Sequence, residues 1–177
     1  MKKPTITAVR EAARTRIFRV EEIDLLFSNG ETRTYERIMS PAEGAVIIVP
    51  FIDENTVILV REYSAATDAY ELTLPKGAID PGEEPLMTAQ RELREEIGYR
   101  ADRLDSIRLL NIAPGYIRHE THVIAAYDLV KDPLPGDEPE PLEQVHWPIS
   151  ELDKLLDNHE LTDARTIAAL LLITRNR

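Results

Sequence analysis

From residue 17 to residue 38 apolar and polar positions alternate. Phe18 and Val20, then Ile23, Leu25 and Phe27, lead to an Asn29-Gly30 pair, and a second alternating run follows through Thr32 and Thr34. A period of two marks strands, and Asn-Gly supplies the positive φ of a tight turn, so this stretch predicts a β-hairpin. Short apolar runs predict further strands near 45–50, 56–63, 70–74, 107–112, 122–129 and 143–147. Between 85 and 97 the period lengthens: Leu86, Ala89, Leu93 and Ile97 recur at three- and four-residue steps, the stripe of a helix resting on a core. Pro85 suits a first helical turn and Gly98 the left-handed position past the end. Two helices close the chain; Thr162 or Asp163 caps the second, with Ile167, Leu170 and Leu171 expected to face the core. Helices on both sides of a mixed sheet predict an α/β layered fold. The boundary is expected after Ser40, giving an N-terminal hairpin region (1–40) and a larger domain (41–177). Two isolated strands cannot bury their own apolar face, so the hairpin needs a partner surface.

Composition narrows the partners. The 177-residue chain carries a formal charge of −11, which argues against duplex nucleic acid as a partner. No run of eighteen apolar residues and no charged-then-apolar leader is present, which predicts neither a membrane span nor a secretory signal and places the protein in the cytoplasm. Zero cysteines exclude disulfides, thiolate metal sites and cysteine nucleophiles. His119 and His122 lack the helical two-histidine pattern of a zinc site and read as strand-edge residues.

The informative chemistry lies in residues 77–99, GAIDPGEEPLMTAQRELREEIGY. On a helix turning about 100° per residue, Glu92, Glu95 and Glu96 share one face, and three neighbouring carboxylates repel one another unless protons or cations compensate. Hard oxygen ligands favour Mg2+, with Mn2+ as the alternative. The turn-rich segment Asp80-Pro81-Gly82 ahead of the helix folds back and brings Glu83 near these acids. Arg91 is placed to pair with a carboxylate and fix its rotamer.

Gly77, five residues, Glu83, seven residues, then Arg91-Glu92-Leu93-Arg94-Glu95-Glu96-Ile97-Gly98 resembles the Nudix box at every fixed position. The one departure is Tyr99, where an aliphatic residue is usual. FSNGETRTYERI, IVPFIDENTVILVREY, YELTLPKGAIDPGE and GDEPEPLEQVHWP are similar to the ADP-ribose pyrophosphatase branch, as is Pro114-Gly115, sixteen positions past Gly98. The resemblance implies the Nudix α/β/α sandwich with a small N-terminal antiparallel sheet that crosses to a second subunit of a homodimer. It implies Mg2+-dependent hydrolysis of the pyrophosphate bond of ADP-X compounds such as ADP-ribose, NADH and short diadenosine polyphosphates, with release of AMP.

On that reading Glu92 and Glu96, with Glu95 beside them, hold the metal. The base is Glu95 inside the box, or Glu138 or Glu140 in the acidic loop KDPLPGDEPEP, which resembles a late loop of the branch. Arg37 and Arg61 match arginines that contact phosphate or adenine; Lys76 is placed to meet a phosphate, Glu71 to accept from a base or ribose, and Tyr116 to stack on adenine. Two other functions compete. An RNA 5′-pyrophosphohydrolase needs a basic track, which the charge disfavours. A non-catalytic ADP-ribose sensor typically loses a box acid, and all three are present.

Overall fold

In the computed structural model, which describes residues 1–40 and 42–175, the chain forms eleven strands and three α-helices among the described residues. Pro41, the expected first residue of the larger domain, lies outside the described residues.

The predicted hairpin is β2 (Arg19–Leu26) and β3 (Thr32–Met39), paired antiparallel around Gly30, whose φ is 88°. Ahead of it runs an unpredicted strand, β1 (Thr5–Arg14), antiparallel to β2. Both faces of β1 are largely exposed, so its sequence carries no apolar alternation to reveal it. The short strand β9 (Ile117–Arg118) pairs with β3 and ties this sheet, ordered β1-β2-β3-β9, to the rest of the chain.

Two further sheets make the larger unit. One is mixed, ordered β7-β4-β10-β8, with β4 (Ala45–Pro50) parallel to β10 (Glu120–Lys131) and antiparallel to β7 (Lys76–Ala78). β8 (Tyr99–Asn111) runs antiparallel to β10 and starts well before the predicted residue 107, because its first half is polar. His122 lies within β10, flanked by β4 and β8, rather than at a sheet edge. The other sheet is β11-β5-β6, formed by β11 (Glu143–Pro148), β5 (Thr56–Ser64) and β6 (Ala69–Thr73).

β4 is buried along its whole length, as expected of a central strand covered on both faces. Its residues divide between two cores. Ile47 and Val49 pack with Leu72, Leu74 and the C-terminal helix α3 (Ala164–Thr174) through Ala169, Leu170 and Ile173. Val46 and Ile48 pack with Ile58, Val60 and the first helix, α1 (Pro85–Glu92), through Ala89, with Leu93 and Ile97 beyond it. Side-chain alternation along the strands thus places α1 and α3 on opposite faces, the expected sandwich. Leu86 and Leu171 are exposed, so the apolar stripes of both helices are narrower than predicted. The short helix α2 (Leu152–Leu156) buries Leu152 and Leu155 against the α3 side. Asp163, not Thr162, caps α3 by accepting from the backbone N–H groups of Arg165 and Thr166.

Candidate active site

The site is built where β7 delivers the chain to α1. After Ala78 the chain turns through Gly82 (φ 79°), and the Glu83 N–H donates to the Asp80 carbonyl at 2.9 Å. Pro85 then opens the helix. At Glu92 the α-helix gives way to one π turn, Leu93–Ile97, closed by Gly98 in the left-handed conformation (φ 77°). Single π turns inside helices recur at functional sites, and here the turn carries Glu95 and Glu96.

Glu92 points back at β7. A Cβ on Gly77 would stand 1.9 Å from Glu92 Oε1, so the space a side chain would fill is taken by that carboxylate. Arg91 ties the acids together. Its Nη1 donates to Glu92 Oε1 at 2.6 Å and to Glu95 Oε2 at 2.9 Å, while Nη2 donates to Glu83 Oε2 at 3.2 Å and to the Ala78 carbonyl at 3.1 Å. Burial disfavours the guanidinium charge, yet the carboxylates of Glu83, Glu92 and Glu95 hold its pKa above the ordinary arginine value.

Glu96 also reaches β7, where it accepts from the Lys76 N–H at 3.1 Å. Burial pushes the Glu96 carboxyl up to about 8, partly offset by Lys76 and reinforced by Glu92. Burial likewise lifts Glu92 to about 7 despite Arg91. The three box acids therefore do not converge on one point as expected. Glu95 turns to Arg91, and among the described residues no three acidic or histidine side chains are gathered to hold an ion. The donor chemistry nonetheless fits a hard divalent cation: Glu92 is buried, Glu96 half-buried, both offer only oxygens, and neighbouring carboxylates raise the proton affinity of each, a repulsion that such a cation relieves.

The acidic loop closes over the π turn. The Asp132 N–H donates to the Gly98 carbonyl and the Leu134 N–H to the Arg94 carbonyl, each at 3.0 Å. Arg94 Nε reaches the Asp132 carboxylate at 3.1 Å, and Gly136 lies against the Glu95 backbone. A cavity of about 420 Å³ remains between loop and turn, lined by Glu95, Glu96, Glu138 and Glu140. Four acids placed in the site from sequence thus share one cavity. Partial desolvation of the otherwise exposed Glu138, with Glu62 and Asp137 nearby, raises its pKa. Glu140 Oε1 instead accepts from the Tyr70 hydroxyl at 2.5 Å.

The four residues expected to bind substrate separate. Arg37 gives Nε and Nη2 to Glu21 Oε2, at 3.0 and 2.8 Å, and lines a different cavity of about 390 Å³ with Tyr35, Pro114 and Tyr116. Arg61 is engaged by Glu143 at 2.6 Å and Glu160 at 2.9 Å. Lys76 and Glu71 line a third cavity, where the Lys76 ammonium meets Glu62. Sequence reasoning passed over Glu62 and Tyr70. The signal for Glu62 was the β5–β6 pairing, which sets it directly opposite Glu71.

Comparison with known proteins covers nearly the whole chain. The NudE-type Nudix hydrolase N-terminal domain family matches residues 4–37, and the NUDIX domain family matches residues 41–170. The chain is 45% identical to ADP compounds hydrolase NudE of Escherichia coli (strain K12) over 173 residues, 98% of this chain and 92% of that protein. It is 32% identical to ADP-ribose pyrophosphatase of Bacillus subtilis (strain 168), over 85% of this chain and 80% of that one. A crystal structure of an ADP compounds hydrolase superposes with a TM-score of 0.89 at 44% identity, covering 99% of this chain and 94% of its own.

Proposed function

This chain belongs to the Nudix hydrolase family, and on that footing we propose that it is an enzyme that hydrolyses the pyrophosphate bond of ADP-X compounds to AMP and phosphorylated X. ADP-ribose, NADH and short diadenosine polyphosphates form the substrate set. The observation that carries this reading is the cavity lined by Glu95 and Glu96 of the π turn and by Glu138 and Glu140 of the acidic loop.

The enzyme depends on a divalent metal, and magnesium is the ion proposed. Glu92 and Glu96 would hold it; once bound, it supplies charge neutralisation at the phosphate oxygens and acidifies water. The protein's own groups do the rest. Arg91 fixes the Glu92 and Glu95 rotamers through its 2.6 and 2.9 Å bonds. Glu138 is the proposed base, because Glu95 is occupied by Arg91 and Glu140 by Tyr70, whereas its own environment raises its proton affinity. It accepts a proton from water as the oxygen attacks phosphorus and the bond to the bridging oxygen breaks.

Adenine is assigned to the cavity of Arg37, Tyr35 and Tyr116, whose aromatic rings suit a purine. That cavity lies on the N-terminal sheet, away from the carboxylates, which favours a homodimer in which residues 1–40 complete the site of a second subunit. The exposed Ile6, Val9 and Tyr35 of that sheet offer the apolar surface. Among the described residues no helix is long and apolar enough to cross a membrane; a cytoplasmic location suits the nucleotide substrates and the cysteine-free chain.

The test is incubation with ADP-ribose, NADH, diadenosine polyphosphates and capped RNA, with magnesium or with chelator, followed by chromatography. AMP released only with metal is the expected result. Tight binding of ADP-ribose without turnover would instead favour a sensor, and turnover of RNA alone would favour an RNA pyrophosphohydrolase.

A further inference from the structure

A helix end leaves its last carbonyls without donors from the helix itself, and at the π turn these are met from outside. The Arg94 carbonyl accepts from the Leu134 N–H and the Gly98 carbonyl from the Asp132 N–H, each at 3.0 Å, and the Ile97 carbonyl accepts from the Gln144 side-chain amide, also at 3.0 Å. The loop sequence Asp132-Pro133-Leu134-Pro135 suits this docking. Proline has no N–H, so the backbone donors of this stretch are those of Asp132 and Leu134, and both go to the turn. Each proline also holds itself and the residue before it in extended conformations, so the chain leaves Pro135 with little freedom. Arg94 Nε adds bonds to the carbonyl and to the carboxylate of Asp132, each at 3.1 Å.

Gly136 comes next, and nothing in its own backbone asks for glycine, because its φ lies outside the left-handed region. Its neighbour does. A Cβ there would stand 3.2 Å from the Glu95 carbonyl oxygen and 3.8 Å from the carbonyl carbon, so a side chain would force the two segments apart by a few tenths of an ångström. The turn resists such a shift, since Leu93 and Ile97 anchor it in the core. The loop yields more readily, because residues 135–140 are all exposed. Glu138 follows Gly136 by two residues, at most about 7 Å of chain, so a shift at the glycine is passed on to its carboxylate.

We propose that Gly136 is a positioning residue for the hydrolysis: lacking a side chain, it lets the acidic loop seat on the Glu95 carbonyl, and that seat sets how far from the π turn the Glu138 carboxylate stands. The inference rests on Glu138 as the base and deepens that reading, since it accounts for how a residue of an exposed loop keeps register with a turn anchored in the core. A base must stand within hydrogen-bond reach of the water it deprotonates, and a misplacement of about 1 Å can cost about 10²-fold in rate. A displacement of tenths of an ångström costs less and remains measurable.

The experiment measures kcat and KM for ADP-ribose with magnesium, and Tm, in the wild type, Gly136→Ala, Gly136→Val, Glu138→Gln and the double variant Gly136→Ala with Glu138→Gln. The alanine is expected to lower kcat about three- to tenfold and the bulkier valine more, with KM within about twofold of the wild type. Tm should not fall, because alanine at an ordinary φ restricts the unfolded chain more than glycine does. In the Glu138→Gln background the alanine should have no further effect, since misplacing an absent base costs nothing. A Gly136→Ala protein with wild-type kcat, a loss that comes with a lower Tm, or the same fold loss with and without the Glu138 carboxylate overturns the proposal while leaving the hydrolase and its base in place. Undiminished kcat in Glu138→Gln overturns the base assignment and the positioning role with it. Wild-type protein that does not cleave ADP-ribose overturns the hydrolase reading itself.

Discussion

Gly77 and Glu92 occupy the same space: a Cβ on the glycine would lie 1.9 Å from Oε1 and 2.0 Å from Cδ of the glutamate. The contact is between strand backbone and the movable end of a side chain, so Gly77→Ala is relieved by swinging Glu92 away rather than by unfolding the domain. Displacing a metal-holding carboxylate should weaken magnesium affinity by about 10–100-fold, with kcat falling alongside. Metal titration followed by activity, together with thermal unfolding of the metal-free protein, checks this. A variant with wild-type metal affinity would show that Glu92 is not a ligand.

Glu96→Gln separates stability from chemistry. Burial pushes this carboxyl up to about 8, so its charged form is costly in the metal-free protein. The amide has no charge to bury and can still accept from the Lys76 N–H. The metal-free Tm should therefore equal or exceed that of the wild type, while kcat drops by at least about 10²-fold and magnesium no longer raises Tm as much. Calorimetry with and without magnesium measures both effects; undiminished turnover would remove Glu96 from the site.

The box helix was legible because its period, Pro85 and Gly98 all pointed the same way, and the acids came with it. The π turn was not: a helical wheel at 100° per residue sets Glu92, Glu95 and Glu96 on one face, whereas Arg91 holds Glu92 and Glu95 and the Lys76 N–H holds Glu96. Leu86 and Leu171 misled for a related reason. Periodicity marks which face a residue lies on, but burial depends on what covers that face, and Leu86 and Leu171 stay exposed on the flanks of α1 and α3. β1 escaped notice because both its faces are wet, and the Glu62–Glu71 opposition needed the hairpin register, which is a long-range fact rather than a local one.

The acidic loop offers two glutamates, and their surroundings rank them. Glu138 is exposed, yet partial desolvation and the nearby Glu62 and Asp137 raise its proton affinity, while Glu140 is bound by Tyr70. Glu138→Gln should lower kcat by about 10²–10⁴-fold, with KM little changed. Glu140→Gln and Tyr70→Phe should resemble each other, each costing about tenfold at most, since both disturb the hydrogen bond between Tyr70 of the hairpin and Glu140 of the loop. Steady-state kinetics of the three variants decides; an effect of Glu140→Gln as large as that of Glu138→Gln would move the base to Glu140.

Asp163 sets part of the acid stability. It caps α3 through the Thr166 N–H at 3.2 Å, the Thr166 hydroxyl at 2.9 Å and Arg165 Nε at 3.0 Å. Burial raises its pKa, but the Arg165 charge and hydrogen bonds outweigh this and leave it below the ordinary aspartate value of 3.8. A carboxyl whose folded pKa lies below its unfolded one binds more protons unfolded, so stability rises with pH across that interval. The contribution is therefore complete above the unfolded value near 4 and lost as pH falls through the lower folded value. Asp163→Ala should cost about 1–2 kcal/mol at neutral pH, a difference that shrinks as pH falls below the unfolded value and through the lower folded one. Asp163→Asn keeps an acceptor for the cap but not the ion pair, so it should retain more stability than the alanine variant and narrow its gap from wild type over the same interval. Urea unfolding of the three proteins across pH 7 to 3 gives the comparison. If the gap for Asp163→Asn stays constant with pH, the cap works through its hydrogen bonds alone and the Arg165 charge adds nothing.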